Sequence, residues 1–176
     1  MKIDRKAMLS WTSVILWMLL IFALSAQSAA QSEKVSHGLA SVILMFIGSL
    51  LNLAGIDVNL MNGIVRKSAH AFLFFVLATL VLNAFLKTGV KGIRAFIFAL
   101  ALTFLYACSD ELHQLFVPGR ACMLSDVGID SLGAICGLCL SGAIYWLSIH
   151  GKINFNDRIN AFIYKFNVFK SQRSSS

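Results

Sequence analysis

At 176 residues the chain is sized for one compact unit. Its 58% hydrophobic and 13% charged composition, with a mean hydropathy of +0.78, excludes a soluble globular protein and points to a helical membrane protein. The net charge of +7 would suit a nucleic-acid partner, but the basic residues flank apolar runs instead of forming a stripe, so nucleic acid is excluded as a partner.

In chain order, the first apolar run covers roughly 9–26, close to the ~20 residues a membrane span needs. Its basic start and the small residues Ala26-Gln27-Ser28-Ala29-Ala30 also fit a cleavable signal peptide over residues 1–30. A second run, Leu39 to Ala54, is broken by Gly48-Ser49 and Asn52 and reads as an interfacial helix over about 38–54. Three further spans follow at about 68–86, 93–115 and 126–149. The predicted fold is thus an all-α membrane protein: a bundle of four transmembrane helices plus an outer interfacial helix, with residues 1–150 as the membrane domain. Residues 151–176 form a basic amphipathic tail, in which Phe155, Ile159, Phe162, Ile163 and Phe166 recur at helical spacing between lysines and arginines, as in a helix lying on an anionic leaflet. Ser171 to Ser176 read as a disordered end. The four cysteines form no disulfide framework, and Cys136-x-x-Cys139, on an apolar helix, reads as packing.

Charge fixes an orientation. With four spans and a cytoplasmic N-terminus, eleven of the 15 Lys and Arg residues lie inside, leaving Lys34, Arg66, Lys67 and Arg120 outside. If Leu39–Ala54 also crossed, six would lie inside and nine outside. The first arrangement obeys the positive-inside rule and predicts a multi-pass protein of the cytoplasmic membrane with both termini in the cytoplasm. It also sends every suspicious polar residue to the outer leaflet.

Those residues are concentrated in Asp110–Asp130, DELHQLFVPGRACMLSDVGID, and in Lys67 and His70. Ionisable groups at membrane depth are costly unless paired or hydrated, so a chain that keeps so many together uses them. Lys67, His70 and Phe74 share one helical face. Arg66 and Lys67 also fit simple snorkelling to the headgroups. Asp110 shares a face with Tyr106 and Gln114, and Glu111 lies about 100° round the helix. The adjacent carboxylates repel and call for a cation, for which Lys67 and Arg120 are available. Val117-Pro118-Gly119-Arg120 predicts a type II turn with Gly119 at positive φ, which projects Arg120 over the cluster. Ser125 is placed to cap the last span, with Asp126 near its positive end. Asp126, Asp130, Gly133, Gly137 and Ser141 line one face, where the glycines admit a close neighbour and Asp130 points into the bundle. A metal set could be drawn from His70, His113, Asp110 and Glu111, but no H-E-x-x-H or similar spacing supports it, so neither metal nor cofactor is assigned. No nucleophile elbow, phosphate loop or dinucleotide fingerprint is present.

Taken together, Ser25-Ala26-Gln27, Lys67-x-x-His70, Asp110-Glu111-x-His113-Gln114, Pro118-Gly119-Arg120 and Asp126 with Gly133 and Gly137 give the chain a resemblance to the VanZ-like family of small bacterial membrane proteins, over about residues 10–148. Asp130 departs from the asparagine more usual there and adds a negative charge. The resemblance implies a link to low-level glycopeptide (teicoplanin) resistance and supplies no catalytic residues.

Two functions remain open. In the first, a non-catalytic envelope protein binds an anionic headgroup, a lipid-linked cell-wall precursor or a lipoglycopeptide. Its contacts are Lys67, Arg120, Gln114, His113, Asp126 and Asp130, among membrane lipids as the general partner. In the second, an intramembrane hydrolase or transferase acts on an outer-leaflet lipid, with Glu111 or Asp110 as general base, His70 as acid–base partner and the cations stabilising developing charge. The chain is compatible with a homodimer.

Overall fold

A computed structural model describes residues 4–51 and 58–147 and is all helical in those segments, apart from short connections. Helix α1 runs Arg5–Ser25, α2 Ala29–Leu51, α3 Val58–Lys87, α4 Ile93–Gln114 and α5 Leu124–Leu147. The amphipathic tail and the serine-rich end anticipated from sequence lie outside the described residues. By contacts the chain divides into Met1–Leu138 and Cys139–Ser176. In the second unit the described residues are the last turns of α5, which carry exposed Leu140, Ile144, Tyr145, Trp146 and Leu147.

Four of the helices, α1, α3 from Asn59, α4 and α5, are long and apolar enough to cross a membrane. In each, only 22–33% of the most apolar window is buried within the chain, so most of that surface faces outward. A water-soluble fold does not expose so much contiguous apolar surface, whereas lipid accommodates it. The protein is an all-α membrane bundle.

Local chemistry explains the helix ends. Asp4 caps α1 by accepting from the Lys6 N–H (3.1 Å), satisfying one of the first-turn donors. After α4, Pro118 and Gly119 break the helix. Gly119 takes φ +76° and the Arg120 N–H donates to the Val117 carbonyl (3.1 Å), the turn expected from Val117-Pro-Gly-Arg.

Helix α3 is central and packs against α1, α2 and α4. Trp17 Nε1 donates to the Leu73 carbonyl (2.9 Å) to join α1 and α3, and the Tyr106 hydroxyl donates to the Met18 carbonyl (2.6 Å) to join α4 and α1. Alanines at 95, 99 and 107 let α4 come close, while Val14, Ile21, Phe74, Leu77 and Val81 fill the core. A Cβ on Gly133 would run into the Ala71 carbonyl, and one on Gly137 into the Phe75 carbonyl. The two glycines therefore set the approach of α5 to α3, as a small-residue interface does in membranes.

Three expectations need correction. Helix α3 begins at Val58 and not near 68, because the uncharged stretch before Arg66 continues the helix; Lys67 and His70 sit roughly two and a half and three turns into it, with Lys67 roughly 13 Å from its start. Helix α5 begins at Leu124, so Ser125 lies inside the first turn and its hydroxyl donates to Asp126 Oδ1 (3.2 Å) instead of capping. Cys136 and Cys139 are exposed on α5, not packed in the core.

Candidate functional site

The C-terminal ends of α1 and α4 and the N-terminal halves of α3 and α5 meet at one end of the bundle. Each of α1, α3, α4 and α5 delivers polar groups there from an otherwise apolar helix. Asp110 (3% exposed), Glu111 (1%), Gln114 (4%) and Asp130 (1%) are buried, and so is Ser25. Burial of this depth is costly for carboxyl groups unless each finds donors or a counter-charge.

Only part of that need is met. Ser25 Oγ donates to Asp110 Oδ2 (2.8 Å), and the Met123 N–H donates to Glu111 Oε2 (2.9 Å). The remaining oxygens, Asp110 Oδ1, Glu111 Oε1 and both of Asp130, have no partner. The one ion pair among the described residues joins Lys67 Nζ to Asp126 Oδ1 at 3.4 Å. With both side chains partly exposed, such a pair contributes at most about 1 kcal/mol.

A cavity of about 20 Å³, room for a water molecule or an ion, opens among these groups. Arg66, Lys67 and His70 from α3, Glu111 and Gln114 from α4, Arg120 from the turn, and Asp126 and Asp130 from α5 line it. Arg120 is held by its Nε, which donates to the Gln27 carbonyl (3.2 Å) at the end of α1. The Pro118 carbonyl accepts from the Ala29 N–H (3.2 Å), so the turn and the α1–α2 connection brace each other. Partial burial, and then the neighbouring Arg66, lower the Arg120 pKa, while Asp110, Glu111 and Asp126 oppose the shift. A guanidinium still keeps its charge.

A larger cleft of about 160 Å³ shares Arg66, His70 and Arg120 with the cavity. It runs between α1, α2 and α3, and Leu24, Val35, Val65 and Leu73 supply its apolar wall. The polar cavity and the more apolar cleft are thus neighbours that share these three side chains.

Of the residues singled out from sequence, Lys67, His70, Glu111, Gln114, Arg120, Asp126 and Asp130 line this cavity, with Asp110 beside it. His113 does not join them. Its ring lies 4.4 Å from that of Phe22, centroid to centroid, and its Nε2 is buried without a partner. The sequence reading left out Arg66, which it assigned to the headgroups, and the Met123 N–H, a backbone donor no side-chain pattern reveals. Ser25, named above only within a motif, joins the cluster through its bond to Asp110.

A metal ion could be held by a different set from the one considered above. One nitrogen of His70 and one oxygen each of Asp110 and Asp130 lie within 4.8 Å of one another, on three different helices. His113 and Glu111 fall out of that set, and Asp130 enters it.

Comparison with known proteins adds one match: the model of the VanZ/LLP1 family covers residues 10–147. No curated protein sequence and no solved structure matches the chain.

Proposed function

The chain belongs to the VanZ/LLP1 family, and from that premise we propose that it is a cytoplasmic-membrane protein whose polar cluster faces the outer leaflet and binds an anionic amphiphile. The ligand classes are a lipid headgroup, a lipid-linked cell-wall precursor or a lipoglycopeptide antibiotic. The observation that carries this reading is the arrangement of Arg66, Lys67 and Arg120 around a small cavity, with Arg66 and Arg120 also lining a neighbouring cleft that has an apolar wall. Cations suit a phosphate or carboxylate, and an arginine fork suits either bidentately. The apolar wall suits the adjoining chain of the same molecule. A contribution to low-level glycopeptide resistance fits this reading as sequestration or shielding at the membrane surface.

A second reading, an intramembrane hydrolase or transferase, has one observation in its favour. Glu111 Oε1 is buried, unpartnered and beside the cavity that His70 also lines. That is where a general base for an incoming water or hydroxyl would stand.

One experiment separates the two. Lipids and cell-wall precursors are profiled in cells expressing wild type, Glu111→Gln or Arg120→Ala at matched levels. Binding alone predicts unchanged profiles, with co-purifying amphiphile lost at least tenfold in Arg120→Ala and kept in Glu111→Gln, for a loss of about 1.4 kcal/mol. A headgroup species formed or consumed only by wild type would make the protein an enzyme. Equal co-purification in all three would sink the binding reading.

A further inference from the structure

We propose that His70, Asp110 and Asp130 form a binding site for a divalent transition-metal ion that ties α3, α4 and α5 together. The donor set is one imidazole nitrogen and two carboxylate oxygens, all within 4.8 Å of one another. Around a bound ion with bonds of about 2.1 Å, neighbouring ligand atoms sit roughly 3 Å apart, so modest side-chain rotation closes the set. Mixed nitrogen and oxygen donors suit manganese, iron or zinc better than calcium or magnesium, which favour oxygen alone.

A cluster of acids would not be enough by itself. The independent observation is Asp130: it is 1% exposed and neither carboxylate oxygen meets a protein donor. Asp110 adds a third such oxygen, Oδ1, while its other oxygen is held by Ser25 Oγ at 2.8 Å. That hydrogen bond engages Oδ2 and leaves Oδ1 available to an ion, in the way outer-shell partners fix metal ligands. The neighbouring cavity, which His70 and Asp130 both line, has about the volume of one ion or water.

The charged groups facing the site both oppose and favour a cation. Arg66 and Arg120 oppose it, whereas Lys67 is already paired with Asp126. Glu111, with one oxygen free, favours it. Counting Asp126 and Lys67, four carboxylates confront three basic side chains, and a divalent ion turns that excess of one negative charge into one of positive charge. Three protein ligands also leave open coordination positions. The loaded site therefore attracts anions more strongly, but the cation site itself does not depend on the headgroup reading.

The test uses the full chain, purified in detergent and stripped with chelator, then titrated with Mn²⁺ alone or Zn²⁺ alone. About one ion per chain is expected, and pulsed EPR of the Mn²⁺ form should show coupling to an imidazole nitrogen. Asp130→Asn and His70→Gln should each weaken binding at least about 100-fold, beyond the usual loss of an outer-shell partner. His70→Gln should also remove the nitrogen coupling, while Asp4→Asn, at the capped start of α1, should change neither. Absence of a stoichiometric ion in the wild type would overturn the site and assign the charge balance to protons. So would binding that persists in both variants, or a nitrogen signal that survives His70→Gln. Should either variant not fold, the wild-type stoichiometry and nitrogen coupling still decide. Amphiphile co-purification, measured with and without chelator, reports separately on the headgroup reading: it can fail while the ion binds, or persist while the ion does not.

Discussion

Ser25 shows how much rests on one hydroxyl. It terminates an apolar helix, is fully buried, and donates to an acid 85 positions away in sequence. Replacing it with alanine removes the hydroxyl donor to Asp110 Oδ2, beside an Oδ1 that already has no partner. The cost of stranding a buried polar group is about 1–3 kcal/mol, more for a charged one. Ser25→Ala should therefore lower the thermal unfolding temperature of the detergent-solubilised protein measurably. Ser25→Thr, which keeps the hydroxyl, should retain more of it. Equal unfolding temperatures for wild type and Ser25→Ala would mean that the acid takes its stabilisation elsewhere. Asp130 is a sharper case, because no hydroxyl or amide reaches it at all.

At the level of elements, α3 and α5 hold the site together through absent side chains. The carbonyls of Ala71 and Phe75 occupy the space that Cβ atoms on Gly133 and Gly137 would need. Backbone cannot swing aside as a flexible side chain can, so Gly133→Val must push the helices apart, at a cost of about 1–3 kcal/mol or more. Asp130 lies about one turn before Gly133 and His70 directly before Ala71, so the same displacement would carry Asp130 away from His70. Gly128, on the same helix with open space around its Cα, is the internal control. Gly128→Ala should be neutral or stabilising by up to about 1 kcal/mol through helix propensity. Similar losses in both variants, by thermal unfolding, would show that the close contact is not what matters.

The spans were legible because length and continuous apolarity suffice to mark them, and the Gly133-x-x-x-Gly137 face gave the α3–α5 approach in outline. The start of α3 was not legible: Asn59, Asn62 and Gly63 dilute hydropathy without breaking the backbone ladder. In the site, each residue's membership in a polar end could be read from its position along a helix. The pairings could not, since they depend on how several helices are rotated about their axes. Hence His113 and His70 looked equivalent as ligands, although one packs its ring against Phe22 and the other lines the cavity. Arg66 looked like a snorkelling neighbour of Lys67, although both reach the same cavity.

For the molecule as a whole, the segregation of charge is the strongest constraint on orientation. The bundle gathers Arg66, Lys67, Arg120 and the buried acids at one end, while Arg5, Lys6, Lys87, Lys91 and Arg94 lie at the opposite ends of α1, α3 and α4. The basic residues balanced by acids are those of the site; the unbalanced ones are those for which the positive-inside rule predicts the cytoplasmic side. Cys122, half-buried between α4 and α5, and Thr88, exposed between α3 and α4, therefore report on opposite sides of the membrane. In intact cells, a chain with Cys122 as its sole cysteine should react with a membrane-impermeant maleimide. A chain with Thr88→Cys as its sole cysteine should react only after the cells are permeabilised. The reverse pattern would place the cluster in the cytoplasm, out of reach of outer-leaflet amphiphiles and external antibiotics. Arg66, Lys67 and Arg120 would then need a cytoplasmic anion to explain them.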